Sequence, residues 1–296
     1  MDQQTAAPCF YQPFLRRLES LRGRYPGLSV RVAGRSALGR GIFALSVGNP
    51  RRQALIVAGF GGSETAHCQT ALGFIERLCR AAANREPLFD IDVGKALRDC
   101  GVTVLPCLNP DGIEIFTRGP AGAGSLRRFV HTLQTDVPWQ ANANGVELMR
   151  NFSSGWSLRR NEEAVAGVTG PAPAGFSGEQ PEREAETAAL LRLCRRQPFR
   201  QALALCGSGG VVRCGIACAP TGAVFMQKLL ADCCGLDVGD NTADGVCCAF
   251  ADRFTEIFAR PALTMEPGKG DAPSPASEFD SVDERIAEAL TLFFLM

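Results

Sequence analysis

The sequence predicts an α/β fold: one domain with a central, mixed but mostly parallel β-sheet flanked by helices. Three observations carry that expectation. Residues 53–59 (QALIVAG) and 102–108 (VTVLPCL) are nearly all-apolar runs of strand length, the pattern of strands covered on both faces. Such runs alternate along the chain with segments of helical period. The 296 residues suffice to bury a sizeable core. No internal repeat or linker interrupts the chain, so residues 1–296 read as a single domain.

Taken in order, residues 11–24 carry Tyr11, Phe14, Leu18 and Leu21 at the spacing of an amphipathic helix. Two short strands follow near 29–32 and 41–47, joined by the turn GRSALGR at 34–40. After strand 53–59, Ser63 reads as an N-cap and residues 64 to 83 as a helix. Strand 102–108 ends at the turn Asn109-Pro110-Asp111-Gly112. Residues 117–180, rich in Gly, Pro and Arg, read as a long connection that forms the rim of a site. Pro181 suits the first turn of a helix that runs to 196. Strands near 202–206, 210–215 and 262–266 then alternate with helices near 221–234 and 249–258. A final helix near 282–294 sets Ile286, Leu290, Phe293 and Phe294 on one side.

Charge narrows the classes of partner. With 31 basic and 31 acidic residues the formal charge is +0, so no net field recruits nucleic acid or an anionic membrane. The pairs Arg127-Arg128, Arg159-Arg160 and Arg195-Arg196 read as solvated faces. The first residues lack a signal-peptide apolar core and no membrane-length apolar run occurs, which points to the cytoplasm. The 13 cysteines then read as small buried side chains rather than a disulfide framework. Cys233-Cys234, Cys247-Cys248 and the Cys214…Cys218 spacing do not repeat as a metal-binding pair of CxxC motifs.

Sites in such sheets form beyond the carboxyl ends of strands. Glu64, Asn109, Cys206 and Glu266 each fall at such an end, so one cleft is expected to gather all four.

Five segments occur in a telling order: GRSALGRGIFALSVGN (34–49), LIVAGFGGSE (55–64), LPCLNPDG (105–112), WQANANGVELMRNF (139–152) and ADRFTEIFARPALTMEPGKG (251–270). Together they resemble the zinc carboxypeptidases of the M14 family, nearer its bacterial branch acting on γ-D-glutamyl-diamino acid peptides than the digestive enzymes. The similarity spans residues 30–270, roughly.

That resemblance implies a zinc held by two His and one Glu, with water in the fourth position, and a peptide or peptidoglycan-derived peptide as substrate. Glu64 stands at the ligand Glu. Gly61 and Cys206 stand where the two ligand histidines are expected, so one position offers no donor and the other a thiol. Glu266 stands at the general base. Gln140 stands where a cation stabilises the oxyanion, and offers a hydrogen bond without charge. Met149 and Arg150 stand at the Asn-Arg pair that grips a terminal carboxylate; Arg150 retains a bidentate fork. Asn109 belongs to the substrate-side Asn-Pro-Asp-Gly turn, and its residue type reads first as a turn former. The loop 240–250 has no tyrosine to cover a substrate, the only two being Tyr11 and Tyr25.

The chain has two histidines, His67 and His131. On a helix His67 shares a side with Glu64, so a displaced site of Glu64, His67 and Cys206 stands beside the plainer reading of a packed histidine. A thiol–imidazole pair of Cys206 and His67 is likewise set against a buried structural cysteine. Ser208, in CGSGG, lacks the strand-to-helix context of a nucleophile elbow. Glu266 reads either as the base or as half of an ion pair with Arg150. Three functions stay open: a degenerate homologue that binds carboxylates through Arg150, an active metallocarboxypeptidase using Glu266, and a scaffold without a small-molecule ligand.

Overall fold

Helix α1 (Tyr11–Arg24) buries Phe14, Leu18 and Leu21, the stripe that the apolar spacing predicts. The computed structural model describes residues 9–215, 222–239, 249–268 and 279–296, the side chains of 279–283 excepted. Outside the described residues lie Thr221, Cys218, Cys247-Cys248, the loop positions 240–248 and the last motif residues 269–270.

Strands β1 (Ser29–Arg35) and β2 (Gly41–Gly48) pair as an antiparallel hairpin. Its turn is closed by Ser36, whose N–H donates to the Arg40 carbonyl at 2.8 Å. The Ser36 hydroxyl accepts from the Arg40 N–H at 3.0 Å. Strand β3 (Gln53–Ala58) leads to α2 (Thr65–Asn84). Ser63 does not cap α2, because its hydroxyl is engaged by Gln140 and Glu64 occupies the capping place without a side-chain bond.

A two-residue hairpin, β4 (Pro87–Leu88) and β5 (Ile91–Asp92), and α3 (Val93–Asp99) were not anticipated by the sequence reading. Strand β6 (Gly101–Leu105) is followed by α4 (Pro110–Arg118). The expected Asn-Pro-Asp-Gly turn is thus the first turn of a helix, with Asn109 as N-cap and Pro110 at the position that needs no N–H.

The connection 117–180 is not structureless either. It holds a 3-10 segment (Gly119–Leu126), α5 (Arg127–Leu133), a second 3-10 turn (Leu148–Asn151) and α6 (Trp156–Ala166). Ile115, Ala123, Val130, Trp139, Ala141 and Ala143 give it a small core of its own, apolar residues too scattered for periodicity to reveal.

Helix α7 (Ala185–Arg196) begins after Pro181 rather than at it. Glu182 intervenes with φ +60, and its carboxylate is spent on Ser153 and Arg253. The remainder follows as β7 (Gln201–Leu205), β8 (Val211–Cys214), α8 (Ala223–Cys234), β9 (Asp237–Val238), α9 (Ala249–Phe258), β10 (Ala262–Glu266) and α10 (Phe279–Leu295).

The eight-stranded sheet has the order β1-β2-β6-β3-β7-β10-β8-β9. The central four, β6, β3, β7 and β10, run parallel, while β1, β2 and β8 pair antiparallel with their inner neighbours. A mixed sheet with a parallel centre is what the sequence predicts. Every residue of those central strands is buried. Along β3, Ala54, Ile56 and Ala58 pack into one apolar layer, and Leu55 and Val57 into the other. That division explains why β3 shows no polar face.

Eight of the ten free cysteines among the described residues are buried. Burial pushes the thiols of Cys79, Cys194 and Cys234 up to about 12, which suits a packing role. Among the described residues no helix is long and apolar enough to cross a membrane.

One polar cluster fastens the β1–β2 turn to the rest. Asp111 accepts from Arg40 Nη1 at 2.6 Å and from the Leu38 N–H at 2.8 Å. Buried Glu186 accepts from the Ala37 N–H and from Asn142 Nδ2, both at 3.1 Å. Burial pushes the Glu186 carboxyl up to about 7, and the nearby Asp111 charge adds to that rise. A carboxyl whose folded pKa exceeds its unfolded value binds a proton in the folded state that the unfolded chain has released. Its stabilising effect is present below about pH 4.5 and is lost as pH rises to about 7. Urea unfolding at successive pH values should show wild type losing on the order of 3 kcal/mol more than Glu186→Gln across that window. Parallel stability profiles for the two proteins would refute this assignment.

Candidate functional site

The carboxyl ends of β3, β6, β7 and β10 open on one edge of the sheet, and the turns leaving them meet there. Glu64 is their cross-link. One of its oxygens accepts from the Phe60 N–H at 2.8 Å, just after β3. The other accepts from the Gly207 N–H at 3.0 Å, just after β7. Asn109 adds a second tie: Oδ1 accepts from the Gly112 N–H, while Nδ2 donates to the Phe60 and Ala141 carbonyls at 2.9 and 3.2 Å. Asn109 is completely buried and every polar group of its side chain is used.

These ties draw backbones close together. A Cβ on Gly62 would stand 2.4 Å from the Trp139 carbonyl oxygen and 2.8 Å from that of Gly112, so only glycine fits there. Gln140 is thereby brought over Gly61. A Cβ on Gly61 would stand 2.5 Å from Gln140 Oε1 and 3.3 Å from the Glu64 carboxyl carbon. Ser63 holds the amide in that spot through contacts of 3.0 and 2.7 Å to Gln140 Oε1 and Nε2. The space that a side chain at position 61 would take is occupied by Gln140.

Glu266, at the end of β10, is buried. Its Oε1 accepts from Arg213 Nε at 3.0 Å, and Arg213 projects from the neighbouring antiparallel strand β8. The turn after β7 wraps its other oxygen: a Cβ on Gly209 would stand 2.5 Å from Glu266 Oε2. The ion pair with Arg150, one of the two readings of Glu266, is therefore not made. Arg150 faces Glu162 at 3.2 Å and Glu147 at 3.6 Å. The strand register gives Glu266 a nearer guanidinium than the cleft wall can.

Met149 is buried in the apolar layer with Phe60, Phe152 and Phe250. Those three rings lie 5.6 to 6.5 Å apart in tilted and edge contacts. They brace the β3 exit against the Arg150 turn and α9. Cys206 is buried, and its N–H donates to the Met265 carbonyl at 3.1 Å.

His67, on the first turn of α2, is buried with Nδ1 3.9 Å from Glu64 Oε2 and without a hydrogen-bond partner. The structure thus brings Glu64, Gly61, Gln140 and His67 together. Among the described residues no three His, Cys, Asp or Glu side chains are grouped to hold a metal ion.

Sequence reasoning missed Arg213 and Ser63. Arg213 carries one signal, a lone cation in the strand VVRC, but its partner depends on the β8–β10 register. Ser63 looks like a helix cap in sequence, and only the approach of residues 139–141 shows it to be the partner of Gln140.

The chain matches the family model for zinc carboxypeptidases over residues 14–289. A γ-D-glutamyl-L-diamino acid endopeptidase of Lysinibacillus sphaericus is 27% identical over 292 residues, covering 96% of this chain and 70% of the relative. Among solved structures, thrombin activatable fibrinolysis inhibitor aligns with a TM-score of 0.72 at 14% identity, over 98% of this chain and 74% of that one. A murein-tripeptide amidase from Escherichia coli O157 aligns with a TM-score of 0.54 at 20% identity, over 92% and 94%. Likenesses at such identities speak for the fold alone.

The packing over Gly61 predicts a measurable coupling. Gly61→His must displace the Gln140 amide and break its contact with Ser63, at a cost of about 1–2 kcal/mol. In a double-mutant cycle, Gln140→Ala should recover most of that loss. Additive effects on urea unfolding would mean that position 61 and Gln140 do not compete for space.

Proposed function

This chain belongs to the zinc carboxypeptidase family, and we propose that it is a degenerate member whose cleft binds peptide carboxylates through Arg150. The single observation that carries this reading is the filled space over Gly61. Glycine supplies no ligand atom, and the Gln140 amide lies where a ligand side chain would begin. The residues present do not fit a site of two imidazoles and one carboxylate. Two further observations agree: both Glu64 oxygens serve backbone amides, and the Glu266 position is engaged by Arg213.

Arg150 is half-buried between Glu147 and Glu162. A peptide carboxylate would exchange with Glu162, the more exposed of the two acids, and gain the guanidinium fork. Peptides ending in a γ-D-glutamyl-diamino acid unit are the proposed ligands, after the name of the Lysinibacillus relative. We also propose a reducing, cytoplasmic setting, in keeping with the free cysteines.

One observation favours a second reading, an active metallopeptidase that recruits His67. Its buried Nδ1 lacks a partner and lies 3.9 Å from Glu64, so Glu64 and His67 would supply two ligands with Glu266 as base, and Cys206 would have to move to join them.

One experiment separates the two. Zinc is measured by mass spectrometry on the purified chain, alongside hydrolysis and calorimetric binding of γ-D-glutamyl-diaminopimelate peptides. Expected are zinc well below one per chain, no chelator-sensitive turnover, and binding weakened about tenfold or more by Arg150→Ala. Stoichiometric zinc with chelator-sensitive turnover would establish the second reading. Equal peptide binding by wild type and Arg150→Ala would remove the proposed role of Arg150.

A further inference from the structure

The 3-10 segment Gly119–Leu126 and α5 border a cavity of about 560 Å³ lined by Arg118, Arg127, Arg128, His131 and Gln134. No carboxylate is among the residues that line it. In a chain of formal charge +0, this is a local excess of positive charge with a concave shape.

The framework behind the cations is built tightly. A Cβ on Gly122 would stand 2.0 Å from the Glu114 carbonyl oxygen, so the 3-10 segment packs directly on the α4 backbone. Arg40, already paired with Asp111, donates its second Nη to the Gly122 carbonyl at 2.8 Å. Arg118 ends α4 while Arg127 and Arg128 begin α5. The spacing of their backbones is therefore set by the fold.

The cations are also poorly neutralised. Arg118 meets Glu114 at 3.2 Å. That carboxylate already accepts from the Phe10 and Tyr11 N–H groups at 2.8 and 2.7 Å and from the Cys9 thiol at 3.3 Å. One negative charge is thus divided among four donors. Arg127 and Arg128 make no ion pair among the described residues.

We propose that this cavity binds a small, multiply charged anion of the phosphate class. Guanidinium forks match phosphate oxygens in bidentate geometry and keep their charge at any physiological pH. The volume lies within the range of about 300–1,000 Å³ typical of small-molecule pockets. A single carboxylate cannot satisfy three guanidinium groups, whereas two linked phosphates carry several charges and enough acceptor oxygens for all three. The proposal uses none of the cleft residues and stands independently of the reading of the cleft.

The test is calorimetric titration of the full chain with inorganic pyrophosphate at near-physiological ionic strength, where loose surface attraction is screened. Expected is saturable one-site binding, weakened about tenfold or more in Arg127→Ala/Arg128→Ala. The control variant Arg195→Ala/Arg196→Ala, an exposed pair at the end of α7 outside this cavity, should leave it unchanged. All four substituted positions are exposed, and circular dichroism confirms that both variants fold. Absence of saturable heat in wild type would overturn the proposal. So would equal weakening by the two double variants, which would signal general attraction. Tighter binding of a glutamate-rich peptide than of pyrophosphate would overturn it in favour of an acidic protein surface.

Discussion

Two hydrogen bonds from backbone N–H groups to the carboxylate of Glu64 hold the cleft in its present shape. They join the chain as it leaves β3 to the chain as it leaves β7, two parallel strands that are neighbours in the sheet. A charged acceptor is the strong partner for such groups. Leaving the two amides unpaired would cost about 1–3 kcal/mol each. Gly61, Gln140, His67, Cys206 and Gly207 are all positioned relative to this one side chain. Glu64 therefore has a structural reason to be present that does not depend on a metal.

The same principle extends through the motifs. Arg40 and Asp111 come from two different motifs and are each other's partner. Asn142 turns its own loop and reaches Glu184 and Glu186, while Asn151 ties Ser177, Gln180 and Thr187 together. These motif residues are thus framework, positions where a backbone group must be satisfied or two chains must pass closely. Matching them reports the fold with high specificity. It reports much less about the few positions, 61, 140, 149 and 206, that form the cleft floor and its packing.

What was legible in the sequence follows from the range of the interactions involved. The central strands stand out because burial on both faces leaves no room for a polar residue, a local property of each run. The gathering of Glu64, Asn109, Cys206 and Glu266 follows from parallel strands that end on one edge. Asn109-Pro110-Asp111-Gly112 carries turn residues that serve equally as a helix start, with Asn109 as N-cap and Pro110 in the first turn. The order within 117–180 was hidden because its small core draws on residues as distant as Ile115 and Ala143. The partners of Glu266 and Gln140 were out of reach for the same reason, since strand register and loop approach are long-range facts.

Arg213 bears on the chemistry open to Glu266. A general base needs a carboxylate oxygen free to turn toward a water and take its proton. In this cleft Oε1 of Glu266 is held by Arg213, and Oε2 lies against Gly209 in a space too small for any side chain there. The strand pairing that supplies Arg213 belongs to the sheet itself, whereas Gly207 and Gly209, which abut Glu266, belong to the turn that follows Cys206. Under the proposed degenerate reading, donor atoms placed at 61 and 206 would leave Oε1 of Glu266 still held by Arg213. The turn after β7 links the two carboxylates: the Gly207 N–H donates to Glu64, and a Cβ on Gly207 would stand 3.2 Å from Glu266 Cγ.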